Sequence, residues 1–192
     1  MPIHLAEIAE IRTGYTFREA LTSQDDGDLR ILQIKDIQSG QPIQTDQLLK
    51  INGALISDTH HLRRHDIVIV ARGIRNNAAI FEGDGAVVAA SQFLILTLRD
   101  AQVLPHYLLW YLAYAEQVQK FLAERKAGSA MPILNKTTLS ELPVIVPTVE
   151  QQQRIVAIQQ LADREQQIYQ DLQRTRQQQL RAVFSQLLEQ AT

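Results

Sequence analysis

Apolar residues between Met1 and about Pro147 fall in short clusters broken by glycine, proline and polar pairs. Leu5, Ile8 and Ile11 predict a short turn or strand that leads into Thr13-Gly14-Tyr15-Thr16-Phe17-Arg18, where the glycine suggests a turn. After the polar break Asp25-Asp26-Gly27-Asp28, the run from Leu29 to Ile37 alternates in part and predicts a strand closed by Ser39-Gly40. Asp66 to Ala71 is a continuous Ile/Val run, the pattern of a strand covered on both faces, and it ends at Arg72-Gly73. Ile80-Phe81, Ala86 to Ala90 and Phe93 to Leu98 predict further short strands, with Glu82-Gly83-Asp84-Gly85 between them as a hairpin turn.

The period then changes to that of helices. Pro105 suits a first turn, and Tyr107, Leu108, Trp110, Tyr111, Leu112, Val118, Phe121 and Leu122 predict one helix stopped by Gly128. Asn135 to Leu142 reads as a short helix, and Pro143 to Pro147 as an extended segment fixed by proline at both ends. From Thr148 onward neither glycine nor proline occurs and glutamine dominates, so the spacing predicts one long helix opened by a Thr148/Gln151 capping box. Ile155, Ile158, Leu161, Ala162, Ile168, Leu172, Leu180, Val183 and Leu187 form its stripe, interrupted by Glu165, Thr175 and Gln179. At 1.5 Å per residue such a helix runs on the order of 60 Å, too far for a small domain to cover, so the stripe calls for another helix. The division expected is therefore a mixed α/β domain over 1–147 and a helical segment over 148–192.

Composition narrows the function classes. A chain of 192 residues with 45% hydrophobic content can bury a core. It has no cysteine, which excludes disulfides, thiolate nucleophiles and Cys-ligated zinc and suits a reducing cytoplasm. No stretch approaches the ~20 apolar residues that span a bilayer. The net charge of −2 argues against binding carried by bulk phosphate neutralisation, so a nucleic-acid ligand would need a local cluster of Arg, Lys, Asn and Gln in loops.

One set of residues carries a family resemblance. Gly128-Ser129-Ala130-Met131-Pro132-Ile133-Leu134-Asn135, then Leu139, Leu142-Pro143-Val144-Ile145-Val146-Pro147, then Glu150-Gln151 and Gln152-Gln153-Arg154-Ile155 opening the long helix, resembles the specificity subunits of type I restriction-modification enzymes. Upstream, Arg12-Thr13-Gly14-Tyr15, Leu32 to Ile37, Asp66 to Gly73 and Pro105-His106-Tyr107-Leu108 follow in the family's order. The chain departs from it in two respects. It holds one recognition domain and one helix where members usually hold two of each, a half-subunit in form. Its loop after the buried strand, Gly73-Ile74-Arg75-Asn76-Asn77, replaces a glycine-serine-rich one. The resemblance implies a mixed-sheet target-recognition domain followed by a coiled-coil helix, with no catalysis of its own. It further implies homodimerisation through Ile158, Leu161, Glu165, Ile168, Leu172, Leu180, Val183 and Leu187, so that two copies read a palindromic site split by a spacer. Double-stranded DNA, an adenine methyltransferase subunit and a restriction or translocase subunit are the partners implied. S-adenosylmethionine, and ATP where the system restricts, would reside on those partners, and this chain would need no cofactor.

Each candidate contact has a plainer alternative. Arg72, Arg75, Asn76 and Asn77 suit base reading, since Arg forks onto guanine and Asn onto adenine, but equally suit a solvated hairpin loop. Tyr15, Thr16 and Arg18 form a second candidate loop, in which Phe17 is either a wedge against a base or a core residue. Lys35, Gln38, Arg125, Lys126 and Lys136 could hold phosphates, and Ser91 and Gln92 could reach a groove. His60, His61 and His65 include a metal-compatible spacing, but lack the glutamate and cysteine that would complete a site, and read as a surface turn. Glu124-Arg125-Lys126 holds the Glu-x-Lys of metal-dependent nucleases on a predicted helix rather than a strand, and is read as chance. Methyl-donor, amino-methylation and P-loop motifs are lacking in the sequence. A competing class is a helical protein-protein adaptor that never touches DNA.

Overall fold

The computed structural model describes residues 2–18, 21–53, 56–72, 77–126 and 133–189. The chain divides into two compact units, Met1–Gln152 and Gln153–Thr192.

The first unit is built on two sheets. Strands β2 (Ala9–Thr13), β5 (Ile67–Val70), β6 (Ala78–Ile80) and β8 (Phe93–Leu98) form a four-stranded antiparallel sheet of order β2-β8-β5-β6. Strands β3 (Leu29–Leu32), β4 (Leu49–Ile51) and β7 (Val87–Ala89) form a three-stranded sheet of order β4-β3-β7, with β3 antiparallel to β4 and parallel to β7. Between them lies a core that includes Val68, Val70, Phe93 and Ile95 from the first sheet and Leu32, Val87 and Ala89 from the second. The continuous Ile/Val run of β5 follows from its place. It is flanked by β6 and β8, and Ile67 to Val70 are each no more than 3% exposed. Both neighbours are antiparallel, so burial on two faces does not require the parallel sheet with which such runs are usually associated.

Helix α1 (Leu5–Ile8) is a single turn between β1 (Ile3–His4) and β2, a turn and a strand where the sequence offered either. Strand β1 pairs with β9 (Pro143–Val144), and Leu5 N–H donates to the Leu142 carbonyl, which closes the domain by joining its two ends. Asn135 caps α4 (Lys136–Ser140), its Oδ1 accepting from Thr138 N–H at 2.7 Å.

Three readings are corrected. The segment Glu82 to Gly85 is no hairpin: it carries the chain from β6 in one sheet to β7 in the other. Gly85, at φ +101°, supplies the left-handed residue of that crossover. Turn residues announce a reversal without specifying which strands pair. The single helix expected from Pro105 is two, α2 (Pro105–Tyr114) and α3 (Glu116–Lys126), broken at Ala115, whose ψ of 127° is extended. The apolar spacing continues through Ala115, and neither glycine nor proline marks the break. The Gln119 amide satisfies two freed carbonyls, those of Leu112 and Ala113, at 3.4 Å each. Gly128 lies outside the described residues. Gly14, finally, does not make a turn. Gly14 N–H donates to Phe93 and Tyr15 N–H to Ala89, continuing the strand, and a Cβ on Gly14 would lie 2.0 Å from the Ala90 carbonyl oxygen. Close approach of two backbones selects the glycine.

Helix α5 (Val149–Glu189) begins with the expected capping box: Thr148 Oγ1 accepts from Gln151 N–H at 3.3 Å, and Gln151 Oε1 from Thr148 N–H at 3.1 Å. The next residue, Gln152, is fully buried. Its amide donates to the carbonyls of Gln102 and Pro147, and its Oε1 accepts from Leu104 N–H. Beyond it the helix is one continuous element with Gln159–Asp163 and Gln167–Asp171 hydrogen bonds along its surface. Among the described residues, no helix is long and apolar enough to cross a membrane.

Candidate nucleic-acid interface

Strand directions gather most of the candidate loops at one edge of the first unit. Strand β2 ends at Thr13, opposite Leu94, and β5 ends at Val70, opposite Phe93, so both finish where β8 begins. The parallel pair β3 and β7 ends with Leu32 opposite Ala89, and Ala90 N–H donates to the Leu32 carbonyl. The loops following β2, β3, β5 and β7 therefore emerge together. They carry Tyr15, Thr16 and Arg18; Lys35 and Gln38; Arg72 and Asn77; and Ser91 and Gln92. Ala71 is the knot between them: its N–H donates to the Gln92 carbonyl and its own carbonyl accepts from Leu134 N–H. Arg72 is bridged to Ile133, so the chain enters α4, with Lys136 at its first position, from this same edge.

A cleft of about 340 Å³ opens here, lined by Tyr15, Phe17, Leu21, Gln33, Ile34, Ala90, Ser91 and Gln92. Its walls combine apolar groups with the amides of Gln33 and Gln92 and the hydroxyls of Tyr15 and Ser91, groups that can meet base edges and methyl groups. Thr16, Arg18, Lys35, Gln38, Arg72 and Lys136 are exposed, whereas Tyr15, Asn77, Ser91 and Gln92 are half-buried. Tyr15 sits edge-on to both Phe17 and His60, with ring centroids 4.9 Å apart in each case. Phe17 packs with it against the core of Leu29, Ile31 and Val88, which gives that ring a packing role. The carbonyl of Asn77 accepts from Val70 N–H at 2.9 Å. Arg75 and Asn76 lie outside the described residues.

Arg125 is engaged elsewhere. Its guanidinium stacks on Phe121, 3.5 Å from the ring centroid, and lies 3.7 Å from Glu141. Lys126 ends α3, and its side chain lies outside what the structure describes. Glu124 is on the same helix, not on a strand. Among the described residues no group of three or more His, Asp or Glu is arranged to hold a metal ion. His60 and His61 instead belong to a short turn clasped by Arg12, which donates to the carbonyls of Thr59, His60 and His61. The same guanidinium pairs with Asp66 at 2.7 Å; that carboxylate also accepts from Arg63 N–H and the Thr97 hydroxyl and is 1% exposed. Sequence reading missed Gln33 and Ile34 as cleft residues, because they sat inside a run taken as strand. It also missed the half-buried Arg12 and the buried Asp66 and Gln152 as polar fasteners. A charged or amide residue at an otherwise apolar strand or helix boundary is the signal that could have found them.

In the second unit, Ile158, Leu161, Glu165, Ile168, Leu172, Leu180, Val183 and Leu187 are all exposed on α5.

Residues 1–174 match the family described as type I restriction modification DNA specificity domain, and the chain belongs to that family. A domain of this family specifies DNA within a restriction-modification system. Solved structures share the fold. A chain from work on complex assembly and conformational transition of the type I R-M system superposes with a TM-score of 0.64 at 18% identity, covering 86% of this chain and 38% of that one. The HsdS subunit from Thermoanaerobacter tengcongensis gives 0.60 at 18% identity, covering 86% and 37%. The type I restriction-modification system S subunit from M. genitalium gives 0.56 at 12%, covering 85% and 39%. The chain thus spans less than half the length of each. No curated protein matches it by sequence.

Proposed function

We propose that this chain is the sequence-reading subunit of a restriction-modification system, with residues 1–147 as the DNA-recognition domain and 148–192 as the helix that assembles it. The observation that carries the reading is the convergence of four loops from separate strand ends on one edge, bearing Arg, Lys, Gln and Ser around a half-apolar cleft. Arg72, Gln92 and Ser91 would meet base edges, while Arg18, Lys35, Gln38 and Lys136 would hold phosphates and set register. Two copies paired through that helix would present two such units, and two-fold symmetry then makes the target two identical, inverted half-sites around an unread spacer. Chemistry belongs to partners in the cytoplasm: an adenine methyltransferase using S-adenosylmethionine and, where the system restricts, an ATP-driven translocating nuclease.

The test is binding of purified chain, alone and with its methyltransferase, to duplexes selected from a randomised pool. A selected duplex should bind more tightly than its scrambled counterpart. Arg72→Ala should relax specificity at one base pair by about 1–3 kcal/mol, while Lys35→Ala should weaken all sequences alike. Equal binding to selected and scrambled duplexes in both states would overturn the reading and favour an adaptor that binds only protein.

A further inference from the structure

The turn between β7 and β8 is held from three sides. Phe93 N–H donates to the Ala90 carbonyl at 3.1 Å, Ala90 N–H donates to the Leu32 carbonyl at 3.1 Å, and the Gln92 carbonyl accepts from Ala71 N–H at 2.8 Å. Ser91 and Gln92 are the two central residues of this turn, so the ends of β3 and β5 fix the backbone that carries them. Gln92 commits its carbonyl in this way, but among the described residues its half-buried side-chain amide makes no hydrogen bond. An amide in that state is costly to leave unpaired, and a ligand that offers it both an acceptor and a donor removes the cost.

The rest of the cleft decides which ligand that is. Ile34, in the loop after β3, is 44% exposed, whereas Ile31 and Leu32 on the strand itself are 0% exposed. With Phe17 and Leu21 it gives the cleft an apolar surface. Among the described residues that line the cleft, none is charged. Guanine is taken by the fork of Arg or by Lys, and the amino group of cytosine by Asp or Glu. Adenine instead offers N7 and its N6 amino group to a carboxamide, and thymine offers a methyl group to an apolar side chain.

We infer that the cleft reads one A·T base pair of the target. The Gln92 amide donates to adenine N7 and its Oε1 accepts from the adenine N6 amino group, while Ile34 packs on the thymine methyl. This deepens the DNA-recognition reading above and rests on it. Guanine at that place would present acceptors to both ends of the carboxamide, of which only the NH₂ can donate. Cytosine in place of thymine would leave Ile34 without its methyl contact.

The experiment uses the full chain and the duplex selected from a randomised pool, with base analogues that each remove one group from the major groove. The selected sequence should hold an A·T pair at which 7-deazaadenine, lacking the N7 acceptor, weakens binding roughly fivefold, and uracil, lacking the thymine methyl, about threefold. Each loss should shrink to less than about twofold in the matching variant, 7-deazaadenine with Gln92→Ala and uracil with Ile34→Ala, since a contact already absent cannot be lost again. The analogue measurements on the unaltered chain stand even where a variant fails to fold. A parent that binds selected and scrambled duplexes equally, alone and with its methyltransferase, sinks DNA recognition and this inference with it. Specific binding in which every A·T pair tolerates both analogues, or an analogue loss undiminished in its matching variant, overturns the cleft's role and leaves DNA recognition standing.

Discussion

Asp66 concentrates the buried charge of the first unit. Its carboxylate takes donors from three directions, and the Arg12 that neutralises it is itself only 21% exposed. Removing one member of such a pair leaves the other charged, desolvated and alone. Arg12→Ala should therefore cost on the order of 3 kcal/mol in urea-induced unfolding, the lower end of the buried-pair range because Arg12 keeps some water. Thr97→Val, which removes one neutral donor, should cost about 1 kcal/mol. Gly14→Ala is a different kind of fault. A Cβ cannot fit 2.0 Å from the Ala90 oxygen, so the strand must part from the Ala89–Ala90 backbone and carry Tyr15 away from the cleft. Stability and DNA affinity should fall together, checked by thermal unfolding and duplex titration of the same sample.

At the scale of elements, α2 is fastened to the segment that precedes α5 by two tyrosines. The Tyr107 hydroxyl donates to the Ile145 carbonyl at 2.6 Å and that of Tyr111 to Pro143 at 3.1 Å. Burial foremost, and then the neighbouring Tyr111, push Tyr107 up to about 12, and burial raises Tyr111 as well. The neutral phenol is the folded form, while an unfolded tyrosine ionises near pH 10. The stability it represents is thus complete below pH 10 and is lost as pH rises from 10 to about 12. Unfolding free energy measured across that window should fall steeply. Tyr107→Phe should flatten the fall while costing about 1 kcal/mol at neutral pH for the lost hydrogen bond. Tyr111 would account for the slope that remains.

For the whole molecule, the long helix makes the prediction that matters most to function. A proposed dimer should sediment at twice the chain mass, and Leu161→Asp or Leu180→Asp should give a monomer whose first unit still melts cooperatively. Such a monomer should bind a duplex carrying one half-site as well as the parent does. It should lose the gain that the parent shows for two inverted half-sites at the correct spacing, since that gain comes from effective concentration rather than from new contacts. Dimeric variants, or parent and variant with equal preference for the paired site, would contradict the proposal.

Periodicity and backbone chemistry are local properties, and what depends on them alone was legible in the sequence. The buried β5 run, a short helix after Asn135, the Thr148/Gln151 capping box and a helix reaching Glu189 all follow from residues within a few positions of one another. Pairing partners are not local. That β6 and β7 belong to different sheets and that Gly14 serves a close approach and not a turn were settled only by residues distant along the chain. The candidate interface has the same origin. Arg72, Lys35, Tyr15 and Gln92 are spread over nearly eighty positions, and only the direction in which each strand runs brings their loops to one edge.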